Sequence, residues 1–304
     1  MVPVLSYVGY FLAGYTALIM LFYAMSLVVA RAAFVARTLA AYIALIISSL
    51  YGVVASIALR LVGLHQLSQW AVARCFKFLM ALLTGVTFDV EDPNGHLDTV
   101  RPAVFIGNHQ TELDVLMLGC MFPKYCSVTA KASLKRTPFL GWFMSLSGSI
   151  FIDRANTRDA REAMRGAADE IRNKRQSVYM FPEGTRSYAR EPMLLPFKKG
   201  AFHLAVQAQV PIVPVVVANY SHILWIKGLE FKSGRIPCKV LDPIPTTGLT
   251  AADVDNLTLS TRELMLNELI ALTARARAQF TTETLRRDAD GIATATGSDT
   301  RIRA

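Results

Sequence analysis

The feature that most constrains this chain is a pair of long uncharged stretches near the start of the sequence. Residues 2–30 contain no charged side chain, and a second uncharged stretch covers residues 38–59. Each is long enough to supply the roughly 20 apolar residues that a helix needs to cross the hydrocarbon core of a bilayer. Neither stretch offers a polar face, which argues against two buried helices of a soluble domain. The sequence therefore predicts two membrane helices in residues 1–60, with Arg31 and Arg37 in the connection of the hairpin.

The amino-acid composition and charge limit which classes of partner this chain can bind. Hydrophobic residues make up 53% of the chain and charged residues only 18%, which is more apolar than an average soluble protein. The formal net charge is +9, but the positive charges are scattered rather than gathered in a basic arm, so we predict no nucleic-acid partner. An anionic membrane surface and a phosphorylated substrate fit this charge better. The four cysteines and five histidines lack metal-ligand spacing, and we predict no metal.

Residues 61–90 differ from the hairpin because Arg74 and Lys77 interrupt an apolar run. This mixture is typical of an amphipathic helix in the membrane interface, and an ordinary surface helix is an equal alternative. A turn cluster at residues 92–95 then marks the entry to a soluble domain over residues 91–280. After residue 281 the chain is polar without periodicity, which predicts a disordered tail, residues 281–304.

Within the soluble domain, short apolar runs alternate with stretches that have helical periodicity. Residues 103–107, 149–152, 177–181 and 212–217 predict buried strands, and residues 159–174 predict an amphipathic helix. Alternation of this kind is typical of an α/β domain with a largely buried sheet.

The strongest local signal is the segment 108–114, which begins with Asn108 and His109 and ends with Asp114 directly after a predicted strand. Five residues of regular helix rotate by about 140° off a common face, so His109 must precede the first turn, with Asp114 about one turn inside. There the carboxylate can orient one imidazole nitrogen and leave the other to take a proton from a hydroxyl. By spacing alone, His109 as a helix cap and Asp114 as a surface charge remain an alternative.

A second segment, residues 181–187, also follows a predicted strand and is suited to a phosphate. Gly184 allows a close backbone approach, Thr185 offers a hydroxyl, and Arg186 supplies a planar donor fork. Glu183 would repel a phosphate that it faced, so we expect it to turn toward basic partners or a substrate hydroxyl. An ordinary turn with an exposed arginine is the alternative.

Two further segments complete the pattern. In residues 148–154 a predicted strand ends in Asp153 and Arg154. Arg154 is a second candidate phosphate ligand, which Asp153 would hold in place by a salt bridge. The alternative is a common ion pair at the edge of the strand. Residues 210–217 carry no reactive side chain, and we expect a core strand beneath the site.

In this order, the four segments resemble the motifs of the glycerolipid acyltransferase family, the 1-acylglycerol-3-phosphate acyltransferases in particular. The resemblance covers residues 85–245 and the hydrophobic N-terminal region, and Lys131 begins a segment that is similar to one between the first two motifs. It implies an α/β acyltransferase domain behind a membrane-embedded helical hairpin. It also implies acyl-CoA as co-substrate without a further cofactor, lysophosphatidic acid as acceptor, and contact with membrane lipids.

The resemblance further implies a role for each motif residue. His109, oriented by Asp114, would deprotonate the 2-hydroxyl of lysophosphatidic acid, which then attacks the acyl-CoA thioester. The acceptor's glycerol phosphate would be bound by a set of residues from three segments: Lys131, Arg154, Glu183, Gly184, Thr185 and Arg186. The expected location is the endoplasmic reticulum membrane, with the catalytic domain facing the cytosol.

Several alternatives stay open. Glycerol-3-phosphate or another lysophospholipid is the nearest rival acceptor. A membrane-bound lipid hydrolase would also use His and Asp, but the sequence lacks a Gly-x-Ser-x-Gly elbow. A non-catalytic scaffold leaves the placement of His, Asp and Arg unexplained. The charges near the hairpin also leave open whether its helices span the bilayer or dip into one leaflet.

Overall fold

A computed structural model describes residues 2–153 and 157–299. Its helices begin and end as follows: α1 Val2–Met25, α2 Ala30–Leu61, α3 Ser68–Thr84, α4 His96–Thr99, α5 Asp114–Met121, α6 Leu140–Leu146, α7 Thr157–Lys174, α8 Gly200–Ala208 and α9 Val254–Asp299. The strands are β1 Val86–Glu91, β2 Val104–Gly107, β3 Cys126–Lys131, β4 Ile150–Ile152, β5 Ser177–Met180, β6 Ile212–Val217, β7 Leu224–Trp225, β8 Glu230–Phe231 and β9 Gly234–Val240. The predicted α/β class is confirmed.

The main sheet has seven strands in the order β1-β9-β6-β2-β5-β3-β4. Strands β6, β2, β5, β3 and β4 are parallel, whereas β9 runs antiparallel to β6 and parallel to β1. Because parallel strands share one direction, the carboxyl ends of β2, β5, β3 and β4 meet at the same edge. In open α/β sheets this edge is the usual place for a ligand site.

Of the apolar runs that predicted strands, β2, β5 and β6 are buried on both faces of this sheet, whereas β4 is partly exposed. In β2, Phe105 packs into a cluster with α5, while Val104 and Ile106 pack into a second cluster with α7, α8 and α9. Side chains alternate between faces along a strand, so covering both faces requires every residue to be apolar. The sequence predicted β2, β4, β5 and β6 but not β1, β3 or β9, since charged residues or Pro237 interrupt their apolar patterns.

Helices α1 and α2 are long and apolar enough to cross a membrane. Helix α1 is exposed along residues 6–25, whereas α2 is partly buried. Small residues recur on the buried face of α2: Ala32, Ala36, Ala40, Ala44, Ser48, Gly52 and Ser56. This small-residue face lets α3 and α6 approach closely, and a Cβ at Gly52 would lie 2.6 Å from Phe143 of α6. The exposed apolar surface indicates membrane association.

The hairpin turns earlier than predicted, at residues 26–29, and Arg31 and Arg37 belong to α2. Arg37 tolerates this position because its guanidinium donates to the carbonyl oxygens of Thr84 at 3.1 Å and Phe231 at 2.9 Å. It thereby ties the start of α2 to the α/β domain.

Helix α3 has two apolar sides. Val72, Phe76 and Met80 are buried, while Phe78 and Leu82 are each 68% exposed. Arg74 is not part of a solvated face, as its guanidinium donates to the carbonyls of Gly119 and Cys120 in α5 and of Phe122. Because these are terminal carbonyls of α5, Arg74 caps the helix that begins at Asp114.

The predicted disordered tail, residues 281–304, is described only as far as residue 299, and its disorder stays a prediction. Helix α9 continues to Asp299. Once a helix has begun, each further residue that joins it adds one backbone hydrogen bond, and Ala, Leu, Glu and Arg have a high helix propensity. A polar segment that contains these residues can therefore extend the helix.

Candidate active site

The predicted site residues meet at the shared carboxyl edge of the parallel strands. His109 follows β2, Glu183 and Arg186 follow β5, Lys131 ends β3, and Asp153 follows β4. Arg154 lies outside the described residues. Sheet order therefore brings together segments that are more than 70 residues apart in sequence.

His109 and Asp114 contact each other at the strand-to-helix turn. His109 Nδ1 lies 2.7 Å from Asp114 Oδ2, and the two side chains are 15% and 1% exposed. His109 stands before α5 as predicted, but Asp114 is the first residue of α5 rather than one turn inside, because residues 111–113 form a preceding turn. The carboxylate thus holds Nδ1, and among the described residues no hydrogen bond engages Nε2. That nitrogen is available to exchange a proton with a substrate.

Asp114 is fixed by several other donors. Its Oδ2 also accepts the backbone N–H groups of Gln110 and Thr111, and its Oδ1 accepts the phenol of Tyr220 at 2.7 Å. Tyr220 lies beyond β6 and is 1% exposed. Burial raises the pKa of Tyr220 well above its usual range, so the hydroxyl remains a donor.

Asn108 anchors the turn of residues 108–114, the candidate catalytic turn, to the neighbouring strand. Its side-chain amide accepts the N–H of Val217 at 2.8 Å and donates to the Val217 carbonyl at 3.0 Å. Val217 ends β6, the strand that the fourth segment predicted as a core strand beneath the site, and its backbone holds the turn in place.

Glu183 supports the backbone of His109 from the other side. Its Oε1 accepts the His109 N–H at 2.7 Å, and its Oε2 accepts the Leu195 N–H at 2.9 Å. Burial raises the pKa of Glu183 to about 7, although both backbone donors lower it. We expected Glu183 to turn toward basic side chains or a substrate hydroxyl. Instead, its two carboxylate oxygens accept the backbone N–H groups of His109 and Leu195.

The third segment lies across the catalytic turn. Ser187 and Tyr188 donate their N–H groups to the carbonyls of His109 and Gln110. The ring of Phe181 stacks on His109 with centroids 4.0 Å apart. These contacts hold the histidine between β2 and the loop that follows β5.

Arg186 is held by acidic and phenolic partners that the sequence did not identify. Its Nη1 lies 2.8 Å from Glu112 Oε1 and 3.3 Å from the Tyr188 hydroxyl. Arg186 Nε is buried and has no hydrogen-bond partner among the described residues. The guanidinium is thus close to the catalytic turn, with donor capacity left for a substrate.

Gly184, Thr185 and Lys131 complete the described candidates. Gly184 has φ +69°, a left-handed conformation that favours glycine, and the flexible Lys198 side chain lies beside it. Thr185 and Lys131 are exposed, and Lys131 pairs in register with Ile152 at the end of β4. Lys198 is a further cation beside this loop that the motif pattern did not reveal.

Comparisons with known proteins identify the family of this chain. A family model described as "Acyltransferase" matches residues 90–218, which include the first and third segments. The 1-acyl-sn-glycerol-3-phosphate acyltransferase of Saccharomyces cerevisiae is 42% identical over 242 residues, covering 80% of this chain and 79% of the yeast protein. Human 1-acyl-sn-glycerol-3-phosphate acyltransferase beta is 43% identical over 188 residues, covering 62% of this chain and 65% of the human protein.

A solved structure shares the fold. The crystal structure of the 1-acyl-sn-glycerophosphate (LPA) acyltransferase PlsC from Thermotoga maritima superposes with a TM-score of 0.54 at 22% identity, covering 67% of this chain and 80% of that chain. With the yeast relative matched over most of both chains, and His109, Asp114 and Arg186 brought together at one sheet edge, the chain belongs to the family of the 1-acyl-sn-glycerol-3-phosphate acyltransferases.

Proposed function

We propose that this enzyme transfers a fatty acyl group from acyl-CoA to the sn-2 hydroxyl of lysophosphatidic acid, producing phosphatidic acid and free CoA. The single observation that carries the proposal is the 2.7 Å contact between His109 Nδ1 and Asp114, on a turn crossed by the loop of Arg186. It supports the proposal because His109 would be the general base and Arg186 the phosphate-binding cation, on adjoining segments.

The proton steps follow from this geometry. His109 Nε2 takes the proton of the 2-hydroxyl as its oxygen attacks the thioester carbonyl, and Asp114 stabilises the imidazolium that forms. When the tetrahedral intermediate collapses, the C–S bond breaks and the CoA thiolate takes the proton from the imidazolium. No covalent acyl-enzyme is needed. Asn108, Glu183 and Tyr220 act by holding the turn and Asp114 in place.

The acceptor phosphate would bind beside the catalytic turn. Arg186 offers a bidentate fork, Lys131 adds charge from the end of β3, and Arg154 follows β4. Glu112 holds Arg186 through a half-exposed ion pair, which a dianionic phosphate would outcompete. Because Gly184 has no side chain, the phosphate can approach the backbone of this loop closely.

The hairpin bears on where the reaction occurs. We propose that α1 and α2 hold the catalytic domain at the endoplasmic reticulum membrane, facing the cytosol, because acyl-CoA is a cytosolic metabolite and lysophosphatidic acid resides in the bilayer. Exposed Phe78 and Leu82 of α3 would contact lipid beside them. The tie between Arg37 and the carbonyls of Thr84 and Phe231 favours a hairpin packed against the domain.

An acceptor panel tests the proposal. Purified protein in mixed micelles is given acyl-CoA with lysophosphatidic acid, with glycerol-3-phosphate, with lysophosphatidylcholine or with no acceptor, while CoA release and lipid products are measured. We expect phosphatidic acid only with lysophosphatidic acid, and no CoA release without an acceptor. Release without an acceptor would identify a hydrolase, and a preference for another acceptor would replace this substrate. His203→Ala, a change at an exposed histidine of α8, is the matched control for His109→Ala.

A further inference from the structure

Two adjoining cavities extend from the catalytic turn toward α9. The inner cavity is bounded by Gln110 and Thr111 of the turn and by Tyr220. The outer cavity has a volume of about 410 Å³ and reaches Arg277 and Phe280 of α9. Ser221 and Trp225 line both cavities. We call the combined depression the side trough, and it leads directly to the residues that flank His109.

The side trough lies on the opposite side of His109 from Lys131 and Asp153. Those two residues end or follow β3 and β4, which come after β2 and β5 in the order of the sheet. Ser221 follows β6, the neighbour of β2 on the other side. Since Lys131 belongs to the proposed acceptor site, the side trough is free for the second substrate.

Three basic side chains line the outer cavity, together with the carboxylates of Glu191 and Glu230. The guanidinium of Arg190 lies 5.6 Å from the centre of the Trp225 ring, and no carboxylate lies within 4.0 Å of it among the described residues. Lys232 and Arg277 also line the cavity, each in an exposed ion pair 3.0 Å from Glu230 or Glu191. Exposed pairs of this kind are weak, so phosphate oxygens can compete for their cations. The cavity therefore suits an anion.

Aromatic side chains stand beside these cations. The His222 ring meets Phe280 edge-on with centroids 4.9 Å apart, and His222 Nδ1 is buried without a hydrogen-bond partner in the described part of the chain. Burial, with Arg277 and Lys232 nearby, lowers the pKa of His222, so the ring stays neutral. The neutral imidazole of His222 and the ring of Trp225 line the same cavity, where they offer a hydrogen bond and a stacking surface to a flat heterocycle.

We propose that the side trough binds the acyl donor, with the 3′-phospho-ADP end of acyl-CoA in the outer cavity. Arg190 and Lys232 contact the phosphates, Trp225 and His222 contact the adenine, and the pantetheine arm extends from the outer cavity past Ser221 toward the thioester at His109. The outer cavity is within the range of about 300–1,000 Å³ that is usual for small-molecule sites. This inference rests on the proposed use of acyl-CoA.

The experiment compares two donors. The double variant Arg190→Gln/Lys232→Gln and the unchanged enzyme are assayed with acyl-CoA and with acyl-pantetheine, which carries the same thioester but no nucleotide. We expect the KM for acyl-CoA to rise by at least about tenfold, because the two charge-assisted contacts with the phosphates are lost. The KM for lysophosphatidic acid and the activity with acyl-pantetheine should stay unchanged, which also shows that the variant is folded.

Competition supplies an independent readout. Adenosine 3′,5′-bisphosphate should inhibit the unchanged enzyme competitively against acyl-CoA, and about tenfold more weakly in the double variant. Arg235→Gln is the matched control because Arg235 is 72% exposed on β9, outside the trough. It should alter neither value.

Different results of these experiments would refute the donor site or the proposed function. An unchanged KM for acyl-CoA with unchanged inhibition by the bisphosphate would refute the donor site while leaving phosphatidic acid synthesis intact. Equal losses with both donors, seen only in vesicles containing anionic phospholipid, would instead identify a lipid headgroup site and also refute the proposal. Absence of phosphatidic acid synthesis in the unchanged enzyme would refute the proposed function itself.

Discussion

The phenol of Tyr220 donates a 2.7 Å hydrogen bond to Asp114, the carboxylate that contacts His109, across a separation of 106 residues. Thr111 Oγ1 contacts the same phenol at 2.9 Å. The orientation of the histidine therefore depends on a residue beyond β6 as well as on its own turn. Tyr220 is a positioning residue, since it acts through Asp114.

Replacing Tyr220 by phenylalanine tests this relationship. Without the phenol, Asp114 Oδ1 loses its donor, so the carboxylate becomes more basic and favours the imidazolium of His109. We expect the acid limb of the profile of kcat/KM against pH to move to higher pH, with activity partly recovered above neutrality. The free energy of unfolding should fall by about 1–3 kcal/mol. Tyr125→Phe is the control, and an unshifted profile would contradict the role.

The raised pKa of Glu183 predicts that the stability of the protein depends on pH. Its folded pKa of about 7 lies above its ordinary value of 4.5, so the folded state binds more protons than the unfolded state between these values. Stability should therefore fall as the pH rises from about 4.5 to 7, by up to about 3 kcal/mol from this group. Thermal midpoints of the detergent-solubilised protein measure the slope. The slope should weaken in Glu183→Gln but not in Glu263→Gln, an exposed control on α9, and an equal slope in all three would refute the assignment.

The ion pair of Glu112 with Arg186 predicts opposite effects of two substitutions. Arg186→Ala should raise the KM for lysophosphatidic acid by at least about tenfold, because a charge-assisted phosphate contact is lost. Glu112→Gln frees the guanidinium and should lower this KM by about two- to fivefold, the scale of a half-exposed ion pair. Steady-state kinetics at saturating acyl-CoA measure both. A higher KM in Glu112→Gln would show instead that Glu112 positions Arg186 for the substrate.

Two glycines in the hairpin provide a matched pair. A Cβ at Gly52 would lie 2.6 Å from Phe143 of α6, whereas nothing lies within 4 Å of one at Gly14. We expect Gly52→Ala to lower the free energy of unfolding by about 1–3 kcal/mol through overpacking. Gly14→Ala should be neutral or stabilising, because alanine favours helix. Equal thermal midpoints for the two variants would contradict the packing of α2 on α6.

The sequence predicts the parts of this molecule that are local. All-apolar runs identify β2, β4, β5 and β6, and the order of residues in segment 108–114 identifies His109 and Asp114. Contacts between distant segments leave no such pattern, which is why Tyr220 and the Glu112 partner of Arg186 were missed. Glu183 illustrates the same limit, because its backbone partners His109 and Leu195 follow from the path of two loops. The early hairpin turn was missed because carbonyl acceptors for Arg37 come from other elements.

The central claim is that His109 acts as general base with the help of Asp114. A double-mutant cycle of His109→Ala and Asp114→Asn, measured as kcat for phosphatidic acid formation at pH 7.5, tests it most directly. General acid–base catalysis contributes about 10²–10⁴-fold, so we expect His109→Ala to lose at least about 10²-fold and the double variant to lose little more. If His109→Ala kept more than about a tenth of the activity, or the two losses multiplied as independent effects, the account would be contradicted.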